Sequence, residues 1–276
     1  MVEDIAELPI TSIVKNLFLN PTYMLSVLSV TNIMFILTAL QYWSTSYGIN
    51  VLKGQKDFVE ISFSLTVITS PCLGAIIGGL VTTKYLGSYT NKKALTLCFL
   101  MYCLFVVFCI PCPLVSDYYF FIALMWFAIF FQGFIEPIMM GIILNTVTPF
   151  ERPTASSLAI FIQMGIGMLP APYLYGLVQD QYAVLDESGN NVSRAGMYMI
   201  FFSSVFGGVA LVVALLLRNR SYKNAKDRIR KSIRKTAKQF SEDEIDIIFD
   251  QVVENDEKDK DANRRIRQSA LLYSIK

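Results

Sequence analysis

Six apolar runs, each long enough to cross a bilayer, occupy residues 22–46, 60–84, 93–114, 118–145, 154–179 and 195–217. A hydrocarbon core about 30 Å thick needs roughly 20 apolar residues in a helix. No water is available there, so each segment must satisfy its own backbone donors and acceptors. Turn or charge signals separate the runs: Lys53, Gly54 and Lys56, then Gly87 to Lys93, Pro111 to Asp117, Pro149 to Pro153, and Asp186 to Arg194. The pattern predicts an all-α, polytopic membrane protein with six transmembrane helices. Charged residues make up 17% of the chain, against about 25% in a soluble domain, and most Lys and Arg follow Arg218. The expected organisation is an N-terminal segment at 1–20, a six-helix transmembrane domain at 21–218 and a basic/acidic tail at 219–276.

An even number of spans puts both ends of the chain on one side. Lys84, Lys92, Lys93 and Arg152 share that side with the ten Lys and Arg between Arg218 and Lys238, while the opposite loops hold Lys53, Lys56 and Arg194. The positive-inside rule then places both termini in the cytoplasm, in the plasma membrane or an endomembrane. Asn191-Val192-Ser193 is a glycosylation sequon in a loop that this orientation puts outside or in a lumen. The first residues, with Glu3, Asp4 and Glu7, carry no cleavable or Arg-rich pattern, so the first span is expected to serve as its own signal anchor.

The segment from Thr146 to Gly176 is the most distinctive. A polar turn carries the acid–base pair Glu151 and Arg152, and an apolar run follows with Gly165 and Gly167 and a Pro170-Ala171-Pro172 sequence near its far end. A soluble helix does not place two prolines in its last turns, whereas in a membrane neighbouring helices re-satisfy the freed carbonyls. Gly165, Gly167, Pro170 and Pro172 are therefore candidate hinge positions. Packing of a kinked helix accounts for them equally well.

Glu136 is the strongest candidate for chemistry. It lies inside the fourth run beside Pro137, and an intramembrane carboxylate costs at least about 2.5 kcal/mol when it faces lipid. It is expected to face the bundle interior or a water-filled cavity, with Gln132 one turn earlier on the same face. Such an acid suits proton coupling or a cation contact, or it fixes packing beside a kink. Thr38 and Gln41, with Thr45, share a face of the first run, and Ser62, Thr66 and Ser70 a face of the second. Ser and Thr in such helices more often bond a neighbouring helix than a ligand. Gln41 and Gln163 rank higher as substrate or proton candidates, because a lone amide in hydrocarbon needs a partner. Tyr42, Trp43 and Tyr47 are placed as interfacial belt anchors, and for Tyr173 and Tyr175 gating of the outer end of the fifth span and belt anchoring account for the residues equally. Gly74 and Gly78 form a close-packing pair.

Enzymatic chemistry lacks its residues. The chain has 0 His, which rules out a His-based triad, and Cys109-x-x-Cys112 stands in an apolar run without a second pair, so neither a metal nor another cofactor is expected. No phosphate-binding glycine loop or nucleophile elbow is present. From Arg218 to Lys238 the tail reads as a basic amphipathic helix, with Ile229, Ile233, Ala237 and Phe240 at helical spacing. That composition suits anionic lipid better than nucleic acid, because a membrane span precedes it. Ser241 to Glu244 is a capping box that opens a second short helix.

Pro149-Phe150-Glu151-Arg152-Pro153-Thr154-Ala155-Ser156-Ser157, followed by Gly167-Met168-Leu169-Pro170-Ala171-Pro172-Tyr173-Leu174-Tyr175-Gly176, resembles the major facilitator superfamily at its tenth-to-eleventh helix link and eleventh helix. The nearest branches are the spinster-like and organic-anion-transporter-like ones. Gln41 to Tyr47 is similar to the outer end of the seventh helix there. Gly79, Lys84, Gly87, Lys92 and Lys93 resemble the second copy of the G-x-x-x-D-x-x-G-[RK] loop, with Thr83 in place of the Asp and Gly87 one residue late. The resemblance covers residues 20–218 and matches the second six-helix half. It implies secondary transport of a small organic or amphipathic solute by alternating access, and a first six-helix half or partner chain to face this one. The alternative is a non-transporting membrane subunit or scaffold of a larger complex.

Overall fold

The computed structural model describes residues 10–82, 84, 92–147, 151–182, 184–185 and 191–236. An amphipathic helix α1 (Ile10–Phe18) leads into α2 (Pro21–Asn50), α3 (Lys56–Val81), α4 (Lys92–Cys109) and α5 (Tyr118–Asn145). The fifth apolar run becomes α6 (Arg152–Ile162), a π-helical turn (Gln163–Met168) and α7 (Ala171–Gln181). Two short antiparallel strands, β1 (Val184–Leu185) and β2 (Asn191–Val192), precede α8 (Ala195–Thr236). Six of the helical stretches are long and apolar enough to cross a membrane. They follow the six apolar runs, with ends moved by a few residues. Residues 10–18 are helical and pack against α6, and the boundary at 218 falls inside the unbroken α8.

The ends have local causes. Pro21, which needs no intrahelical donor, opens α2 at its first position, and the Asn20 side chain caps it by accepting from Tyr23 N. The same amide donates to Thr146 O at 3.2 Å, which ties the start of the first span to the end of the fourth. Asp117 caps α5 by accepting from Phe120 N at 3.2 Å.

Helix neighbours follow a repeating rule. The second span packs on the fourth, the fifth on the first, the first on the sixth, the third on the fourth, and the third on the sixth. Exchanging the first three spans for the last three reproduces these five most extensive pairings, as expected of two inverted three-helix repeats, although the fifth span also packs on the sixth without a matching contact between the second and third. The first and fourth spans form the core, with 61% and 56% of their apolar windows buried. The second and fifth stand at the flanks, with 22% and 28%.

The two flanking contacts are backbone-close. A Cβ on Gly133 of α5 would lie 2.7 Å from Pro71 Cα in α3, and one on Gly78 would lie 2.7 Å from Phe134 O. In the matching place, a Cβ on Gly167 of the π turn would lie 2.7 Å from Thr31 O of α2. Side-chain bonds reinforce each contact. Ser70 Oγ donates to Trp126 O at 2.6 Å, Tyr23 Oη donates to Ala155 O at 2.7 Å, and Trp43 Nε1 donates to Pro172 O at 3.0 Å. Trp43 also stacks on Tyr175 at 4.9 Å.

Several aromatic assignments change as a result. Tyr42 and Tyr173 are exposed, as belt residues are, but Tyr47 and Tyr175 are buried and Trp43 is half-buried. Their ring faces meet other helices, the Trp43 indole N–H also bonds Pro172 O, and packing takes them out of the belt.

Because no hydrophobic force drives helix against helix within lipid, these contacts should be sensitive to single carbons. Gly133→Leu should cost at least about 1–3 kcal/mol by overpacking and lower the thermal midpoint in detergent. Gly79→Leu, where a Cβ meets nothing within 4 Å, should leave that midpoint unchanged.

Candidate functional site

Glu136 stands nine residues from the C-terminal end of α5, about 14 Å along a helix at 1.5 Å per residue. It is half-buried. Among the described residues it has no hydrogen bond and no ion pair. Pro137 brings no N–H to the helix, so the carbonyl of Gly133 loses its usual i+4 donor one turn away. A carboxylate and a freed carbonyl therefore occupy adjacent turns of one core helix.

Met140 follows Glu136 by one turn on the same face, and the Gln163 amide, 8% exposed, reaches the Met140 sulphur at 3.8 Å. Gln163 lies eleven residues into the fifth span, about 17 Å from its start, so it sits at nearly the depth of Glu136. It also opens the π turn, in which Leu169 N donates to Met164 O at 3.0 Å. Such single π turns are frequent at functional positions. The fold thus sets Gln163 against Met140, one turn after Glu136 on the same helix.

The other candidates disperse. Gln132 is 3% exposed and turns into the bundle. There it lines a small cavity with Ile33, Leu40, Phe105, Cys109 and Phe201. Thr38 is buried with its hydroxyl unpartnered. Gln41 is exposed, farther toward the opposite end of the first span. Of the second-span stripe, Ser62 meets the Tyr118 hydroxyl at 2.8 Å and Ser70 bonds α5, so both serve helix contacts.

The hinge candidates divide as well. Gly167 is pressed against α2, and Pro172 accepts from Trp43. A Cβ at Gly165 meets nothing within 4 Å. Pro170 immediately precedes α7. At the polar turn, Glu151 is buried and Arg152 Nε donates to Leu144 O at 3.3 Å, and both make further contacts. Asn191 begins β2. Thr83, Gly87, the turn at Pro149 and Phe150, and the Ser241 capping box lie outside the described residues.

Two placements escaped sequence reading. Met140 carries no polar signal, yet it joins Gln163 to the Glu136 helix. A polar group between the first, third and sixth spans was also not anticipated. Tyr102 Oη donates to Ser204 O at 3.3 Å, and Asn32 Nδ2 donates to Ser203 Oγ at 3.3 Å. Its members are common residue types scattered over three runs, and nothing in their spacing links them. The cysteines are free thiols, with Cys98, Cys109 and Cys112 buried. Among the described residues no group of three His, Cys, Asp or Glu side chains is arranged to hold a metal.

Residues 19–267 match the family model of the Major Facilitator Superfamily. The chain is 26% identical over 196 residues to Protein spinster of Drosophila melanogaster, a match that covers 67% of this chain and 31% of that protein. It therefore spans about a third of the length of the curated relative it matches. Among solved structures it is similar to the crystal structure of a bacterial homolog to human lysosomal transporter, spinster, in inward-facing and occupied conformation. That similarity is at 15% identity and a TM-score of 0.49, covering 77% of this chain and 50% of the other. With its six membrane-length helices and its match across nearly the whole membrane body, the chain is an integral membrane protein that belongs to the major facilitator superfamily and is spinster-like within it.

Proposed function

We propose that this chain forms one six-helix half, the second, of a secondary transporter that moves a small organic or amphipathic solute by alternating access. The observation that carries this reading is Glu136: a carboxylate within a membrane span, half-buried and unpartnered among the described residues. A charge so placed needs a protein or water-filled surface opposite it, and a facing six-helix half supplies one. Glu136 then exchanges a proton or meets a cationic group of the solute, and Gln163 contributes an amide at the same depth. The π turn at Gln163–Met168 and the prolines after it provide the give that rocking of the fifth span needs. The membrane body is residues 21–218. The basic stretch after it, helical through Thr236, lies along anionic lipid at the cytoplasmic surface.

The second reading is a membrane subunit or scaffold that packs in a larger assembly without transporting. Reconstitution separates the two. The chain, together with any six-span partner that copurifies, is placed in proteoliposomes with a pH-sensitive dye inside and offered a panel of amphipathic solutes. Glu136→Gln should abolish proton-driven accumulation and leave solute exchange in place. Accumulation that survives the substitution removes the proton assignment. Absence of any flux, with stoichiometric association to other proteins, selects the subunit reading.

Orientation has its own test. Expressed in a eukaryotic cell, the chain should carry an N-glycan at Asn191, seen as a mobility shift that a peptide N-glycosidase and Asn191→Gln both remove. Cysteines introduced into the 186–190 loop should react with an impermeant thiol reagent on intact cells or sealed vesicles of lumen-out orientation, and ones introduced after Thr236 should not. The reverse labelling would invert the assignment.

A further inference from the structure

The short helix α1 spends only part of its apolar surface on the protein. At about 100° per residue, Ile13, Leu17, Ile10, Val14 and Phe18 fall in that order on one apolar arc of about 140°. The rest of the circumference is polar, with Lys15 near the Phe18 edge and Ser12 and Asn16 opposite the arc. One edge of the arc is used: Ile13 and Leu17 are buried, and α1 packs on α6 and α2. The other edge is not. Ile10 is 71% exposed and Phe18 53%, and Leu19, which follows the helix, is 55% exposed. The height of α1 on the bundle is fixed by its far end. Asn20 N donates to Leu17 O at 3.1 Å, and the Asn20 amide donates to Thr146 O at 3.2 Å, where the fourth span ends. Pro21 then opens the first span directly. The uncovered edge therefore stands where the first span starts, the fourth finishes and the fifth begins.

We propose that α1 is an interfacial helix, whose Ile10–Phe18 edge, with Leu19, is buried in the headgroup–acyl boundary of the bilayer. Three observations select lipid as the occupant. The helix is joined to the first span through a two-residue turn, so it cannot leave the boundary of the membrane that span enters. Its neighbour α6 belongs to the fifth span and turns Ile160 and Phe161 outward, so α1 adjoins a surface that already meets lipid. Its charge is also of the right sign. Residues 10–18 carry Lys15 and no acid, and a long exposed amine beside an apolar edge reaches headgroup phosphates while its stem stays with the acyl chains. Because α1 also packs on α6, and Tyr23 of the adjoining span bonds Ala155 O of α6 at 2.7 Å, the interfacial helix holds the entry of the fifth span to the membrane plane. The assignment is separate from Glu136 and does not depend on transport.

The test reads depth at single positions of the full chain in phosphatidylcholine–phosphatidylglycerol nanodiscs. The exposed thiols are removed by Cys72→Ala and Cys103→Ala, while the buried ones stay. An environment-sensitive fluorophore is then attached at Ile10→Cys, Phe18→Cys or, as the polar-face control, Ser12→Cys. A doxyl group at the lipid 5-position should quench the labels at 10 and 18 by about half, and one at the 12-position by less, because an interfacial helix lies about 5–10 Å deep. Aqueous iodide should quench the label at 12 at least about threefold more than those at 10 and 18. Strong iodide quenching at 10 and 18 would place the edge in water and overturn the proposal. Protection there from both quenchers would mean that protein covers the edge, and overturns it equally. Doxyl quenching at 12 equal to that at 18 would show the fluorophore, not the helix face, seeking lipid, and also overturns it. Each labelled variant is compared only if its thermal midpoint matches that of the unlabelled chain, and Ile10 and Phe18 report independently, so loss of one variant leaves the other to decide.

Discussion

The near-contact of α3 and α5 backbones, at Gly74, Gly78 and Gly133, is the interaction on which the rest of the bundle depends. In hydrocarbon, burying an apolar side chain against another helix instead of lipid brings little gain, so close van der Waals approach and interhelical hydrogen bonds hold the helices. Small residues permit the approach, and Ser70 and Trp126 seal it. The same solution recurs between the fifth and first spans, through Gly167, Tyr23 and Trp43. Two copies of one contact, related by exchange of the repeats, leave the first and fourth spans central.

This arrangement decides what the polar residues can do. Groups at the flanking contacts are spent on helix association, as with Ser62, Ser70 and Trp43. Glu136, on the central α5, makes no such bond among the described residues, and Met140 one turn on meets Gln163 of the fifth span.

Hydropathy made the membrane body legible, because spanning a bilayer imposes a length that no other fold class requires. The six runs, the irregular fifth helix and the singular Glu136 could all be read from residue type and spacing. The aromatic residues were read less well. Tyr173 and Tyr175 are two positions apart and identical in type, yet one faces outward and the other stacks beneath Trp43. Their belt assignment rested on distance along the chain, and burial depends on which helix lies across from each ring. For the same reason Met140 drew no attention and the segment at 1–20 was given no element, although Ile10–Phe18 is helical. Its apolar face has meaning only once α6 is there to receive it.

By itself the sequence determined that this chain enters a bilayer, how many times it crosses, and which single acid is costly there. Those properties follow from the transfer free energies of individual residues and the fixed rise of a helix. Only the tertiary structure decided which polar groups share a depth, which serve helix contacts, and which stay unpaired. Those outcomes depend on how helices distant in sequence rotate about their axes, and glycine contacts, proline breaks and interhelical hydrogen bonds set that rotation jointly.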